Sequence, residues 1–234
     1  MMSFLRRTAL LTFTVAAVSS GSHASAGTIS FVGPIDLSGT GLGNVLTTLV
    51  LQANDMESGS VSWNGSSDVT TGDAKPNSQT RTVAELTAAG ISASNFGIVL
   101  NIAQQGANPQ IKLQQFALDF EDASGNPIPG VSAAYTGPSL ELTPVGLGVG
   151  ASGYAFLVTL SSAEAAAFFG NPTNRLSTSV PSSAPIVNSN NGPETFFAYP
   201  VPEPASLVLL GLGGIGMLGM GRRARRRWEA GARA

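Results

Sequence analysis

The chain is 234 residues long, 43% apolar and only 11% charged, with 28 glycines and 14 prolines. That is too apolar for a disordered chain and too poor in charge for a solvated helical bundle, so one β-rich globular domain is expected. There is no cysteine, and the one histidine, His23, lies close to the N-terminus. Disulfides, thiolate metal sites and histidine-dependent catalysis are therefore excluded from the chain beyond it.

Residues 1–26 read as a secretory signal peptide. Arg6 and Arg7 supply the basic start, Thr8 to Val18 is a short, mostly apolar run, and Ala24-Ser25-Ala26 places small residues where signal peptidase needs them. Cleavage is expected after Ala26, and the apolar run is about half the length of a membrane span. The mature chain then begins at Gly27. Between residues 27 and 200 four basic residues, Lys75, Arg81, Lys112 and Arg175, face twelve acidic ones, a net of −8 that the formal −2 of the whole chain hides. Such a surface disfavours nucleic acid and anionic membranes.

Residues 27–200 form the expected extracytoplasmic domain. Strand-like segments follow one another at Thr28–Val32, Val45–Gln52, Val61–Trp63, Phe96–Ala103, Ile111–Glu121, Val131–Tyr135, Leu140–Thr143, Tyr154–Leu160, Leu176–Val180 and Thr195–Tyr199, punctuated by Gly, Pro, Asn and Asp. The pattern predicts an antiparallel β-sandwich of jelly-roll type. Thr82-Val-Ala-Glu85 and Ser161-Ser-Ala-Glu164 have capping-box spacing, and Gly90 and Gly170 stand at plausible stops, so two short connector helices are expected. Within Ile111–Glu121 the apolar alternation changes parity at Gln114-Gln115, which predicts a bulge or a strand crossing between sheets.

Candidate chemistry in this domain is sparse. Asp119, Glu121, Asp122 and Asn126 offer oxygen ligands around a turn, a candidate Ca²⁺ set whose spacing is not that of an EF-hand; the alternative is a polar strand face ending in a turn. Asp55, Glu57, Asp68 and Asp73 form a second, looser acidic group. Two facing carboxylates would suit glycoside hydrolysis, and Trp63, Tyr135 and Tyr154 could form an aromatic platform for a sugar or simply pack in the sheets. Gly148, Gly150 and Gly153 match a GxGxxG spacing, but the following Tyr154–Leu160 reads as a strand, so a dinucleotide site is not expected. Thr47-Thr48, Thr70-Thr71 and Thr178 form no regular array of the kind that would bind ice.

The C-terminus carries a tripartite pattern. Val201-Pro202-Glu203-Pro204 is a rigid, extended spacer. Ala205 to Gly221 is an uncharged run of 17 residues containing six glycines, barely long enough as a helix to cross hydrocarbon. Arg222, Arg223, Arg225, Arg226 and Arg227 follow at once and would hold this end in the cytoplasm, with residues 228–234 as a tail. The order of Pro-Glu-Pro motif, Gly-rich span and Arg cluster resembles the PEP-CTERM family of exported bacterial proteins, whose tail is sometimes labelled an ice-binding protein C-terminal domain. The resemblance covers only residues 201–227. It implies recognition of Glu203, flanked by Pro202 and Pro204, by an exosortase-type transpeptidase in a Gram-negative host that makes exopolysaccharide, and it leaves the activity of residues 27–200 open. The segments around Phe96–Gln104 and Asn191–Ala198 also resemble ectodomains that recur with such tails.

The expectation is thus an exported protein, processed by signal peptidase, held transiently in the inner membrane and sorted to the cell surface or extracellular matrix. There it would act as a structural or binding protein associated with the envelope or with exopolysaccharide. It is not expected to bind nucleic acid, to need a cofactor other than the candidate Ca²⁺, or to be an enzyme. The alternatives are a secreted carbohydrate-active enzyme and a glycan-binding adhesin.

Overall fold

A computed structural model of the chain describes residues 27–37, 45–104, 110–144, 152–189 and 192–201. The expected signal peptide, membrane span and Arg cluster lie outside these residues. Among the described residues no helix is long and apolar enough to cross a membrane.

The domain is mainly β, with fifteen strands and two short helices in the described residues. The strands are β1 (Gly27–Asp36), β2 (Leu46–Leu51), β3 (Asp55–Glu57), β4 (Gly59–Trp63), β5 (Asp68–Gly72) and β6 (Arg81–Thr82), then helix α1 (Val83–Ala88), then β7 (Phe96–Asn101), β8 (Ile111–Leu113), β9 (Phe116–Glu121), β10 (Pro127–Tyr135), β11 (Leu140–Leu142) and β12 (Ser152–Thr159). Helix α2 (Ser162–Phe169) precedes β13 (Arg175–Val180), β14 (Ile186–Ser189) and β15 (Glu194–Pro200).

One large sheet runs β2-β15-β7-β12-β1-β10-β9-β13-β4-β5, with β6 added against β13, and a small sheet runs β11-β8-β14-β3. All pairings are antiparallel except β1 with β10. The large sheet curls onto itself. Phe116 on β9 and Phe196 on β15 are five strands apart in the order, yet their rings lie 5.3 Å apart. Its two edges are also stitched together: Lys75 N donates to Val50 O at 2.8 Å, Gln79 N to Thr48 O at 2.9 Å, and Leu51 bridges Ala74. The outer edge of β2 is thereby covered by the segment that follows β5. The expected pair of matched sheets is replaced by one sheet bent around the core with a small sheet laid beside it.

The reason lies in the distribution of apolar residues. Phe96, Phe116, Phe120, Phe156, Phe168 and Phe196 are each at most 1% exposed, come from both halves of the curled sheet and from α2, and meet in one cluster that also takes Ile111, Leu113, Leu142 and Ile186 from the small sheet. Each such ring contributes roughly 1.5–3 kcal/mol by burial. Cysteine-free, the domain draws its stability from this core.

Local signals place the connectors. Thr82 and Ser161 each form a complete capping box, with Glu85 and Glu164 respectively at the third helical position. Gly90, at φ 77°, follows the end of α1. At Gln114-Gln115 the chain leaves the small sheet after β8 and enters the large one at β9, which is the crossing that the parity change predicts.

Four strands bring the two ends of the domain to one margin. Tyr199 faces Gly97, Gly97 faces Leu157, and Leu157 faces Ser30, so β15, β7, β12 and β1 are in register there. Gly27 and Val201 both lie just past that row, on strands about 14 Å apart.

Candidate functional site

The junction to the sorting tail is built from the end of β15. Val201 is 3% exposed and packs with Leu37, Val99, Ala155 and Phe197. Its N–H donates to Asn95 O at 2.9 Å. A side chain at position 97 would collide with Val201, so Gly97 is what admits this residue to the sheet. Val201 is therefore part of the folded domain and not of a free linker. Pro202, Glu203, Pro204 and Arg222, Arg223, Arg225, Arg226 and Arg227 lie outside the described residues, as do Ala24 and Ala26. The Pro-Glu-Pro motif begins one covalent bond after a buried anchor.

The acidic residues singled out in the sequence are dispersed into separate roles. Asp122 Oδ1 accepts Ser124 N at 2.7 Å and Asn126 N at 2.9 Å, closing its own turn, and Asn126 Nδ2 reaches Asp122 Oδ2 at 3.2 Å. Those bonds hold the Asp122 carboxyl below its usual range, led by the Asn126 amide. Asp119 is exposed, in line with its alternation on β9. Glu121 was expected at the solvent face with it, but is only 7% exposed. Its Oε2 accepts Trp63 N at 2.8 Å and Ser177 Oγ at 2.7 Å, and the Arg175 guanidinium lies 3.6 Å over the Trp63 ring. Burial raises the Glu121 carboxyl, opposed by the Ser177 and Trp63 hydrogen bonds. Glu121 thus splices the end of β4 to β9 and β13, and no group of three or more Asp, Glu or His is gathered in metal-binding geometry among the described residues.

The second acidic group is likewise divided. Asp68 Oδ1 accepts Thr80 N and Oγ1, Asp73 Oδ2 accepts Ser58 N, and Asp55 is exposed with φ 74°. Only Glu57 turns inward. Tyr135 and Tyr154 are buried, donating to Pro138 O and Thr143 O, and one face of Trp63 is covered by Arg175, so the three aromatics do not form a platform. Gly153 lies in β12, so the glycine-rich stretch leads into a strand.

The sequence reading missed a buried pair of carboxyls. Glu57, at the end of β3, and Glu194, at the start of β15, are both 0% exposed. Glu57 Oε1 accepts Ala53 N at 2.9 Å, while Glu194 takes Gln104 Nε2 on Oε1 and Ser189 Oγ on Oε2, both at 2.6 Å. Glu57 Oε2 has no hydrogen-bond partner of ordinary geometry among the described residues. Burial, together with a hydrogen bond to Glu194 and its charge, pushes the Glu57 carboxyl up to about 9. Burial favours the neutral carboxyl here, and the two side chains titrate as a coupled pair. The advance signs were Glu57 in the looser acidic group and Glu194 at the head of the otherwise apolar segment of β15.

No curated protein and no solved structure matches the chain. The family model of the PEP-CTERM protein-sorting motif matches residues 200–227. The matched segment takes in Val201 and the Pro-Glu-Pro motif, and it starts on the last strand residue of the domain, Pro200. A motif of this kind supports export with transient membrane anchoring and processing by an exosortase. The chain carries a PEP-CTERM sorting motif fused without a spacer to a mainly β domain of unassigned activity.

Proposed function

We propose that residues 27–200 are a non-catalytic structural or binding domain delivered to the cell surface or extracellular matrix, where it associates with envelope or exopolysaccharide components. The observation that carries this reading is the sorting motif at residues 200–227, continuous with the folded domain at Val201. Support for a non-catalytic role comes from the carboxyls. Glu57, Asp68, Asp73, Glu85, Glu121, Asp122, Glu164 and Glu194 are each engaged in hydrogen bonds that hold the fold, which leaves them poorly placed as an acid and base facing a substrate. The signal peptide is removed by signal peptidase and the C-terminal span holds the precursor in the inner membrane until the exosortase acts.

Intact mass of the protein recovered from the cell surface or medium tests the sorting step. A mass ending between Pro200 and Pro204, lost in Glu203→Ala, is expected. A mass that retains Arg222 to Ala234 would instead mean an ordinary membrane anchor.

A further inference from the structure

The N-terminal end of β1 is enclosed. Gly27 is buried, and its N–H donates at 2.9 Å to Oε1 of Glu164, which is 4% exposed. The other oxygen, Oε2, accepts Ser161 N at 2.7 Å within the capping box of α2. Capping alone would satisfy Glu164 as an ordinary helix-start residue. The contact to Gly27, 137 positions away, is an added feature.

Two further observations bear on this contact. A Cβ at position 27 would come within 2.6 Å of Leu160 Cδ2, 3.0 Å of Thr159 O and 3.1 Å of Ser132 O, so the pocket is shaped for a residue without a side chain. The carboxylate also lacks a basic partner: the one ion pair between side chains among the described residues is Arg81 with Glu85. A buried carboxylate held by two neutral N–H donors is short of a positive charge. Gly27 is also the residue that follows the small-residue pattern Ala24-Ser25-Ala26.

We propose that the bond cut on export is Ala26–Gly27 and that the freed α-amino group of Gly27 forms a buried ion pair with Glu164, so that removal of the signal peptide completes the fold. In the cut, water adds across the amide. Ala26 leaves with the new carboxylate, and the Gly27 nitrogen leaves the amide and takes up protons to become an ammonium. One neutral N–H donor thereby becomes a cation with three N–H bonds at the same position, and the hydrogen bond to Glu164 becomes charge-assisted. A cavity of about 390 Å³ is lined by residues including Gly130, Val131, Ser161 and Glu164, so it borders the carboxylate that the ammonium meets. The precursor, which lacks this charge, holds β1 less firmly than the mature protein. The proposal does not depend on what happens at the C-terminal tail.

The exported protein is to be purified and its N-terminus read by intact mass and sequencing, then labelled at neutral pH with an amine-selective acylating reagent, with Lys75 as the internal reference. The first residue is expected to be Gly27, and its amine is expected to label about tenfold or more slowly than in Glu164→Gln, because the pair is buried and its opening must precede reaction. Ser161→Ala, which breaks only the cap, is expected to keep the slow rate. A different first residue, or equal rates in the wild type and Glu164→Gln, overturns the proposal. Should Glu164→Gln fail to fold, a second variant decides: a mature chain carrying one extra alanine before Gly27 keeps Glu164 but displaces the ammonium. It is expected to melt several degrees lower than the chain beginning at Gly27, and an unchanged melting temperature would overturn the proposal.

Discussion

Glu57 and Glu194 face each other in the interior, one on the small sheet and one on the first residue of the last strand, with the hydrogen bond between them set against two donors on Glu194 and one on Glu57. The pair joins the small sheet to the second strand of the large one, and it makes that joint dependent on pH. Glu57 has a folded-state pKa of about 9 against an ordinary value of 4.5. The folded state therefore binds the proton more tightly than the unfolded chain. The stabilisation is complete below the ordinary carboxyl value of 4.5 and is lost progressively as pH rises toward about 9. Glu57→Gln keeps a donor toward Glu194 and removes the titration. Urea unfolding from pH 5 to pH 9 is expected to show a falling stability in the wild type and a flatter profile in the variant, with the variant more stable at the alkaline end.

Removal of Glu121 strands two donors at once. In Glu121→Ala the Trp63 N–H and the Ser177 hydroxyl lose their acceptor, and the end of β4 loses its link to β9. A loss of about 2–4 kcal/mol is expected, since an unsatisfied buried donor costs about 1–3 kcal/mol. Guanidinium unfolding monitored by tryptophan fluorescence checks it, because Trp63 reports directly on the splice.

The two capping boxes allow a comparison between similar local motifs in different surroundings. Thr82→Ala and Ser161→Ala each remove one side-chain acceptor from a helix start, and each is expected to cost about 1 kcal/mol. Nearly equal losses in urea unfolding are the expected result. If Ser161→Ala proved several times costlier, then the hydroxyl would be holding Glu164 in place for Gly27 as well as capping α2.

Val201 sets how accessible the processing motif is. Val201→Gly removes the side chain that packs on Val99, Ala155 and Phe197 and should loosen the segment that leads into Pro202. Limited proteolysis with an endoprotease that cuts after proline is expected to cut the full-length variant after Pro202 or Pro204 several times faster than the wild type, because local opening governs cleavage. Equal cutting rates would place the barrier to cleavage elsewhere than at this anchor.

What could be read from the sequence was local. The capping boxes, the glycine stops and the parity change at Gln114-Gln115 depend on residues a few positions apart, and the structure has each of them where those residues require. Strands β3, β5, β6 and β14 are short and lie in polar or Gly/Ser-rich stretches without alternation, so periodicity does not mark them. Their pairing is fixed by the neighbours they meet and not by their own composition. Glu121 illustrates the limit at one residue. Alternation on β9 puts it with Asp119 on the outer face, but burial depends on Trp63 and Arg175 arriving from other strands. The same holds for Glu57 with Glu194 and for Gly27 with Glu164, whose partners lie far away in the chain.

The register that aligns Tyr199, Gly97, Leu157 and Ser30 puts both ends of the domain on one margin. An anchored precursor is then suspended from a single side, like a plate held by its rim. On the route proposed above, the margin bearing Gly27 and Val201 is the one that adjoins both processed ends, and the opposite end of β15, with Glu194, lies away from it.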